Sequence, residues 1–122
     1  MKKRLRIYIA GPIRNPDNIQ FLDNLRQGIR VSTELIMKGF APFCPFLDFM
    51  YLFQLREGEQ ISVKDLHSYS IAFLPGSAAV LVLSTVGKGR GVSLELEEAV
   101  KLRIPVFYNK EVAIDYLKHL EE

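Results

Sequence analysis

The sequence predicts an α/β fold built on a mostly parallel sheet, and three observations lead there. Short β-rich runs at 5–10, 40–44, 78–83 and 104–108 alternate with stretches of helical periodicity, the pattern of strand–helix–strand units. The run Ala78 to Leu83 is apolar throughout, as a strand is when helices cover both faces of its sheet. The length of 122 residues suits one core and not two, so a single domain is expected over 1–122.

Leu5 to Ala10 is a short β-rich run that stops at the turn signal Gly11-Pro12. Asn15-Pro16 then offers an N-cap followed by proline at the first helical position. Phe21, Leu22, Leu25, Ile29 and Ile36 recur at helical spacing to about residue 37, and Lys38-Gly39 supplies a cationic last turn and a terminal glycine. Phe40 to Cys44 reads as a second short strand. Pro45 to Gln60 is long, aromatic and without a clear period, as binding loops or lids are.

Ser62, with Asp65 three residues on, opens a helix that runs to Phe73 and stops at Pro75-Gly76. The apolar strand leads into Gly87-Lys88-Gly89-Arg90-Gly91 and then a helix with Glu95 in its first turn. Ile104 to Tyr108 predicts a fourth strand and Glu111 to Leu120 a closing helix. The sum is a layered Rossmann-like or flavodoxin-like fold with a central sheet of about four to five strands flanked by helices. Its strand-to-helix loops gather at the sheet edge where such proteins bind ligands. Three regions there carry suggestive residues: Tyr8 with Gly11 to Asn15, the stretch before Asp65, and Lys88 to Glu95.

Composition narrows the function classes. A hydrophobic share of 48% with 25% charged residues describes a compact protein and not a disordered one. The net charge of +2 is small and its sixteen Lys and Arg are dispersed, apart from Lys2-Lys3-Arg4-Arg6, so nucleic acid is not the expected partner. One cysteine, Cys44, excludes an internal disulfide and fits a reducing cytoplasm. No apolar run approaches the roughly 18 residues of a membrane span, and no signal-peptide core follows the basic start. A cytoplasmic protein is expected.

No cofactor is expected, because neither a G-x-G-x-x-G nor a G-x-x-x-x-G-K-[ST] spacing occurs. No metal is expected either, since His67 and His119 stand apart from companion ligands.

Glu95 is the unusual carboxylate. On a helical wheel, Val92, Leu96, Ala99, Val100 and Leu102 form an apolar stripe that Glu95 borders, while Glu97 and Lys101 face away as a surface pair. Each singled-out residue also has an ordinary role available. Glu95 can compensate the helix dipole, worth some 0.3–1 kcal/mol. Asp65 can complete a capping box with Ser62, and Tyr8 can be a core aromatic.

Tyr8-Ile9-Ala10-Gly11-Pro12-Ile13, Asp65-Leu66 before an apolar strand, Gly91-Val92-Ser93-Leu94-Glu95-Leu96-Glu97-Glu98-Ala99 and Ile104-Pro105-Val106 occur in an order that resembles the nucleoside 2-deoxyribosyltransferase superfamily. The Gly91-Val92…Glu95-Leu96 form is most similar to its small 2'-deoxynucleoside 5'-phosphate N-hydrolases. The resemblance implies Glu95 as the nucleophile on C1' of the sugar. It implies Asp65 as the acid at the leaving base and Tyr8 as a phenol hydrogen-bonded to the nucleophile. Gly11, Ile13 and Arg14 are then expected at the substrate.

A basic glycine-rich loop before a helix suits a 5'-phosphate held by Lys88, Gly89, Arg90, Gly91 and Ser93. The aromatic stretch from Phe43 to Phe53 supplies candidates for stacking on the base, Phe46 among them, with Asp48 as its hydrogen-bond partner. Transferase members often carry an acid where this chain has Gly89, which favours hydrolysis over base exchange; the related hydrolases often have serine where this chain has Pro12. Relatives assemble as dimers or larger homo-oligomers, which the aromatic content here also suits. The alternatives are a nucleoside 2-deoxyribosyltransferase proper and a catalytically inactive nucleotide-binding module.

Overall fold

The computed structural model describes residues 3–83 and 90–121, with the backbone alone at 90–93. In chain order the elements are β1 (Arg6–Ala10), α1 (Asn18–Met37), β2 (Ala41–Phe43), a 3-10 helix (Pro45–Gln54), α2 (Val63–Ile71), β3 (Ala79–Val82), α3 (Arg90–Lys101), β4 (Val106–Phe107) and α4 (Lys110–Glu121). The strands form one sheet in the order β2-β1-β3-β4, every neighbouring pair parallel. This is the layered, flavodoxin-like α/β arrangement, with four strands.

Alternation along β1 divides the core into two layers. Ile7 and Ile9 face α1 and α4 and pack with Leu35, Phe40, Phe46, Leu81, Ala113, Ile114 and Leu117. Tyr8 and Ala10 face the opposite way and pack with Leu74, Val80, Val82 and Ala99, joined by Phe43 and Leu96. All of β3 is buried, as its unbroken apolar run requires. The connection after β1 runs outward to β2, whereas the one after β3 runs the opposite way along the sheet to β4. The crevice at the carboxyl ends of β1 and β3 is therefore the topological switch point, where ligands of such folds bind.

The N-terminal arginines fasten the edges of this frame. Arg4 Nη1 donates to the Ile36 and Phe40 carbonyls at 2.9 Å each, closing the end of α1. Arg6 donates to the Phe73 carbonyl at 2.7 Å and the Pro75 carbonyl at 3.2 Å, closing the end of α2. Both are cations set against carbonyls at or just beyond the ends of α1 and α2, so the basic start of the chain is partly consumed in fastening helix ends.

Three local features depart from the sequence expectations. The N-cap of α1 is Asp17, whose side chain accepts from the Ile19 amide at 3.1 Å. Asn15 acts one turn earlier, accepting from the Asp17 amide at 2.9 Å. The first part of the expected 45–60 loop is the 3-10 helix, begun by Pro45 at a position where its missing amide proton costs nothing.

The buried face of α1 is Asn24, Gly28, Ser32 and Leu35, not the Leu22–Ile29–Ile36 row, which is exposed. Small side chains are needed there because Phe46 of the 3-10 helix lies against α1. A Cβ on Gly28 would come within 2.3 Å of two Phe46 ring carbons. Asn24 Nδ2 donates to the Ile13 carbonyl at 3.2 Å, which ties the β1–α1 loop to the same face.

Gly28→Ala measures this close approach. Alanine is favoured over glycine in a helix by about 1 kcal/mol, yet the overpacking against Phe46 should give a net loss of about 1–3 kcal/mol in urea denaturation. Adding Phe46→Leu should recover part of it. A single variant as stable as the parent would mean that the ring does not hold this position.

Candidate active site

Glu95 lies in the second turn of α3, since the helix begins at Arg90 and its first turn contains no acid. Dipole compensation acts within the first turn, so it does not account for this carboxylate. The inward face of α3 runs through Glu95: Ala99 is buried, Leu94, Leu96 and Glu98 are half-buried, and Glu97, Val100 and Lys101 are exposed. Glu95 itself is half-buried with its carboxyl end drawn inward, Oε2 having virtually no contact with solvent.

The carboxylate points at the layer occupied by Tyr8. Tyr8 is 0% exposed in the centre of β1, with its ring stacked on Phe43 at 5.4 Å between centroids, and Phe43 in turn stacked on Phe73 at 4.5 Å. Tyr69 and Tyr51 continue this series to the surface, their hydroxyls 3.3 Å apart. The Tyr8 ring is thus fixed by its neighbours, and its hydroxyl and Glu95 Oε2 are both closed off from solvent. The two groups act directly on one another, the phenol favouring the ionised Glu95 through a side-chain hydrogen bond and the Glu95 charge holding the phenol protonated.

A second carboxylate completes the cluster. Asp48, 6% exposed on the 3-10 helix, accepts from Ser70 Oγ of α2 at 2.8 Å, and the same oxygen lies 2.9 Å from the Leu66 carbonyl. A hydroxyl has a single proton, so Ser70 donates to one of these acceptors at a time. Four elements therefore converge on one place: β1 with Tyr8, the 3-10 helix with Asp48, α2 with Ser70, and α3 with Glu95.

Burial dominates the electrostatics of the cluster. It pushes Glu95 up to about 7; the Tyr8 phenol pulls the other way and the Asp48 charge adds to the rise. Asp48 is itself raised by burial, with Ser70 opposing. Tyr8 is driven far above the usual phenol range by burial first and then by the Glu95 charge, so it stays protonated as a donor. Paired carboxylates in a low-dielectric site, one with an ionisation near neutrality, are the setting of acid–base and nucleophilic chemistry.

Asp65 stands apart from this cluster. It is exposed and completes the capping box of α2, its amide donating to Ser62 Oγ at 3.0 Å and its Oδ2 accepting from the Ser62 amide at 3.3 Å. Asp48, and not Asp65, is the acid whose charge reaches both Glu95 and Tyr8. Phe46 is likewise not placed to stack on a base, being 2% exposed and wedged between Gly28 and Gly11.

Gly11 is buried where a Cβ would meet Phe46 at 3.1 Å and Leu83 at 3.3 Å. Ile13 packs against the core. Both shape the loop from within.

Arg14 is exposed. It lies over the Phe49 ring at 5.3 Å and lines an open cleft of about 450 Å³ with Asn15, Pro16, Asn18 and Phe21. It also faces His67 of α2, whose imidazole is held toward its neutral form by burial and by the Arg14 charge. Lys88 and Gly89 lie outside the described residues, as do the side-chain positions of Arg90, Gly91 and Ser93. Ser70 was not singled out by sequence; its signal is the i,i+4 spacing from the inward Leu66, which places a small hydroxyl on the buried face of α2.

Among the described residues no group of three His, Cys, Asp or Glu side chains is arranged to hold a metal ion, and no helix is long and apolar enough to cross a membrane. No protein-family model matches the chain, and no curated protein matches it significantly in sequence.

The burial of Glu95 has a consequence for stability. Its folded-state value, about 7, stands above that of an ordinary carboxylate, so the native state holds the proton more tightly than the unfolded chain does. This contribution is full below the unfolded value and is lost as pH rises through about 7. Glu95→Gln removes the buried charge and should exceed the parent in stability at about pH 8, by on the order of 3 kcal/mol, with the gap closing near pH 4. Urea midpoints with the same pH dependence for both proteins would show that the carboxylate is not desolvated.

Proposed function

We propose that the chain cleaves the N-glycosidic bond of a nucleoside or, by preference, a nucleoside 5'-monophosphate, as the resemblance to the nucleoside 2-deoxyribosyltransferase superfamily implies. What supports this most is the convergence of Tyr8, Glu95 and the Asp48–Ser70 pair on one buried point, next to the switch-point crevice. Ionised Glu95 attacks C1', and the C1'–N bond breaks with its electron pair passing to the base. The departing nitrogen takes a proton, a step we assign to Asp48 in place of Asp65. Water then attacks C1' of the glycosyl-enzyme, losing a proton to the same acid–base group and releasing Glu95. The balance is nucleotide plus water giving free base and sugar phosphate.

Arg14 at the cleft and the basic composition of the 87–91 segment favour a phosphorylated substrate. Gly89, where an acid is common in transferases, favours water over a second base as acceptor. Exposed apolar side chains on α1 and the 3-10 helix, such as Ile19, Met37, Met50 and Phe53, support self-association.

The raised ionisation of Glu95 favours one further reading, in which Glu95 is the proton donor and the ionised Asp48 the nucleophile. The two separate by pH. With Glu95 as nucleophile, kcat/KM for base release rises as pH passes upward through about 7, because the carboxylate must be ionised. A rate that falls through the same range reverses the roles.

Base release from nucleosides and their monophosphates, followed by chromatography, tests the activity itself. Glu95→Gln should abolish it in a folded protein, and Asp48→Asn should lower it by about a hundredfold. Asp65→Ala should cost about 1 kcal/mol of stability through the lost cap and leave base release standing. Unchanged turnover in Glu95→Gln would sink the assignment.

A further inference from the structure

We propose that the outer face of α1 is an interface with a second copy of this chain, the two helices lying antiparallel across a two-fold axis. The proposal goes beyond the glycosidase reading and does not rest on it, because α1 and the layer of Tyr8 lie on opposite faces of the sheet. It starts from the apolar row left outside the fold. Ile19 is 70% exposed, Leu22 44%, Ile29 39% and Ile36 52%, on a helix of 20 residues. With Arg26 and Thr33 these side chains recur alternately three and four residues apart along the whole helix. That is the strict spacing of a coiled-coil seam, narrower than the stripe by which a helix packs on a core. At about 100° per residue the row is centred roughly 130° from the buried Asn24, Gly28, Ser32 and Leu35. A partner helix lying along it therefore has the body of the first protomer behind it and not in its way.

The two polar members of the row suit a seam. Thr33 Oγ1 donates to the Ile29 carbonyl at 2.8 Å, which satisfies its proton within the helix and leaves its methyl to pack. Arg26 pairs with Asp23 at 2.8 Å, so its aliphatic stem lies along the row while its charge is matched at the edge.

The occupant follows from self-complementarity. An antiparallel pairing sets Ile19 against the partner's Ile36, Leu22 against the partner's Thr33 and Arg26 against the partner's Ile29, and the two-fold axis repeats each contact. Each member of the row is then covered by another member of the same row. Asp23 and Arg30, which flank the row on one side, meet across the axis, the acid of each helix beside the base of the other. A parallel pair would instead place Arg26 on Arg26 in the middle of the seam, a like-charge contact. Met50 and Phe53 of the 3-10 helix are also exposed, but they belong to no such register.

Sedimentation velocity on the full chain over a range of concentrations tests the interface. The parent should form a concentration-dependent dimer. Ile29→Arg sets a second cation against the partner's Arg26 and should raise the dimer Kd at least about tenfold, whereas Ile29→Glu sets an acid there and should leave Kd close to that of the parent. Circular dichroism checks that both substitutions, made at an exposed position, leave the fold intact. Under oxidising conditions Leu22→Cys combined with Thr33→Cys should give a covalent dimer, and neither substitution alone should, since each position faces the other only across the axis and Cys44 is buried. A monomer at every concentration overturns the proposal. So does a dimer that the two Ile29 variants weaken alike or leave equally intact, which would place the contact on another face. A covalent dimer from Leu22→Cys alone means a parallel pair and overturns it as well. None of these outcomes touches the glycosidase reading, which base release tests separately.

Discussion

The candidate site depends on one constraint: a carboxylate, Glu95, is taken out of water without being given an opposite charge. Desolvation of an ion is costly, and proteins ordinarily offset it with an opposite charge or a full set of hydrogen bonds. Here the offset is a single neutral phenol, opposed by a second acid whose charge makes matters worse. The fold tolerates this at some cost in stability, a pattern found where a protein keeps a group poised for chemistry and not for packing. The reactive potential of the site and its thermodynamic weakness have the same origin.

The rest of the architecture holds that arrangement in place. The β2-β1-β3-β4 order puts β1 in the middle of the sheet, so Tyr8 is fully enclosed and its hydroxyl meets α3 at a fixed depth. Phe46 occupies the notch at Gly28, anchoring the start of the 3-10 helix, and two residues later Asp48 turns toward Ser70 on the opposite layer. Arg4 and Arg6 secure the ends of α1 and α2, whose loops flank the crevice. Packing on the α1 face thus determines where a carboxylate sits on the α2–α3 face.

Much of the fold was legible in the sequence because its signals are local. The apolar run of β3, the alternation of strand and helix, and the Ser62–Asp65 capping box are each carried by a few adjacent residues. What escaped depends on contacts distant in the chain. Periodicity selected Phe21, Leu22, Leu25, Ile29 and Ile36 of α1 because they are apolar; Leu25 does pack on the core, but Leu22, Ile29 and Ile36 are exposed, and the inward face presents Asn24, Gly28 and Ser32 where Phe46 approaches. The 3-10 helix has no clear period to read. Glu95 stood out through the wheel and the motif. Asp48 was read only as a partner for the base, since its bond to Ser70, 22 positions away, and its place beside Glu95 arise only in the folded chain, whereas Asp65 drew attention through a motif that the structure uses as a cap.

The most direct measurement of the central claim is covalent trapping. A nucleoside 5'-monophosphate bearing fluorine at C2' slows both steps of a nucleophilic glycosidase, and when the intermediate breaks down more slowly than it forms it accumulates. Intact-mass spectrometry followed by peptide mapping then locates the sugar. The account predicts a sugar-phosphate ester on Glu95 with release of the base. An ester on Asp48, or base released with no adduct on the chain, would contradict it.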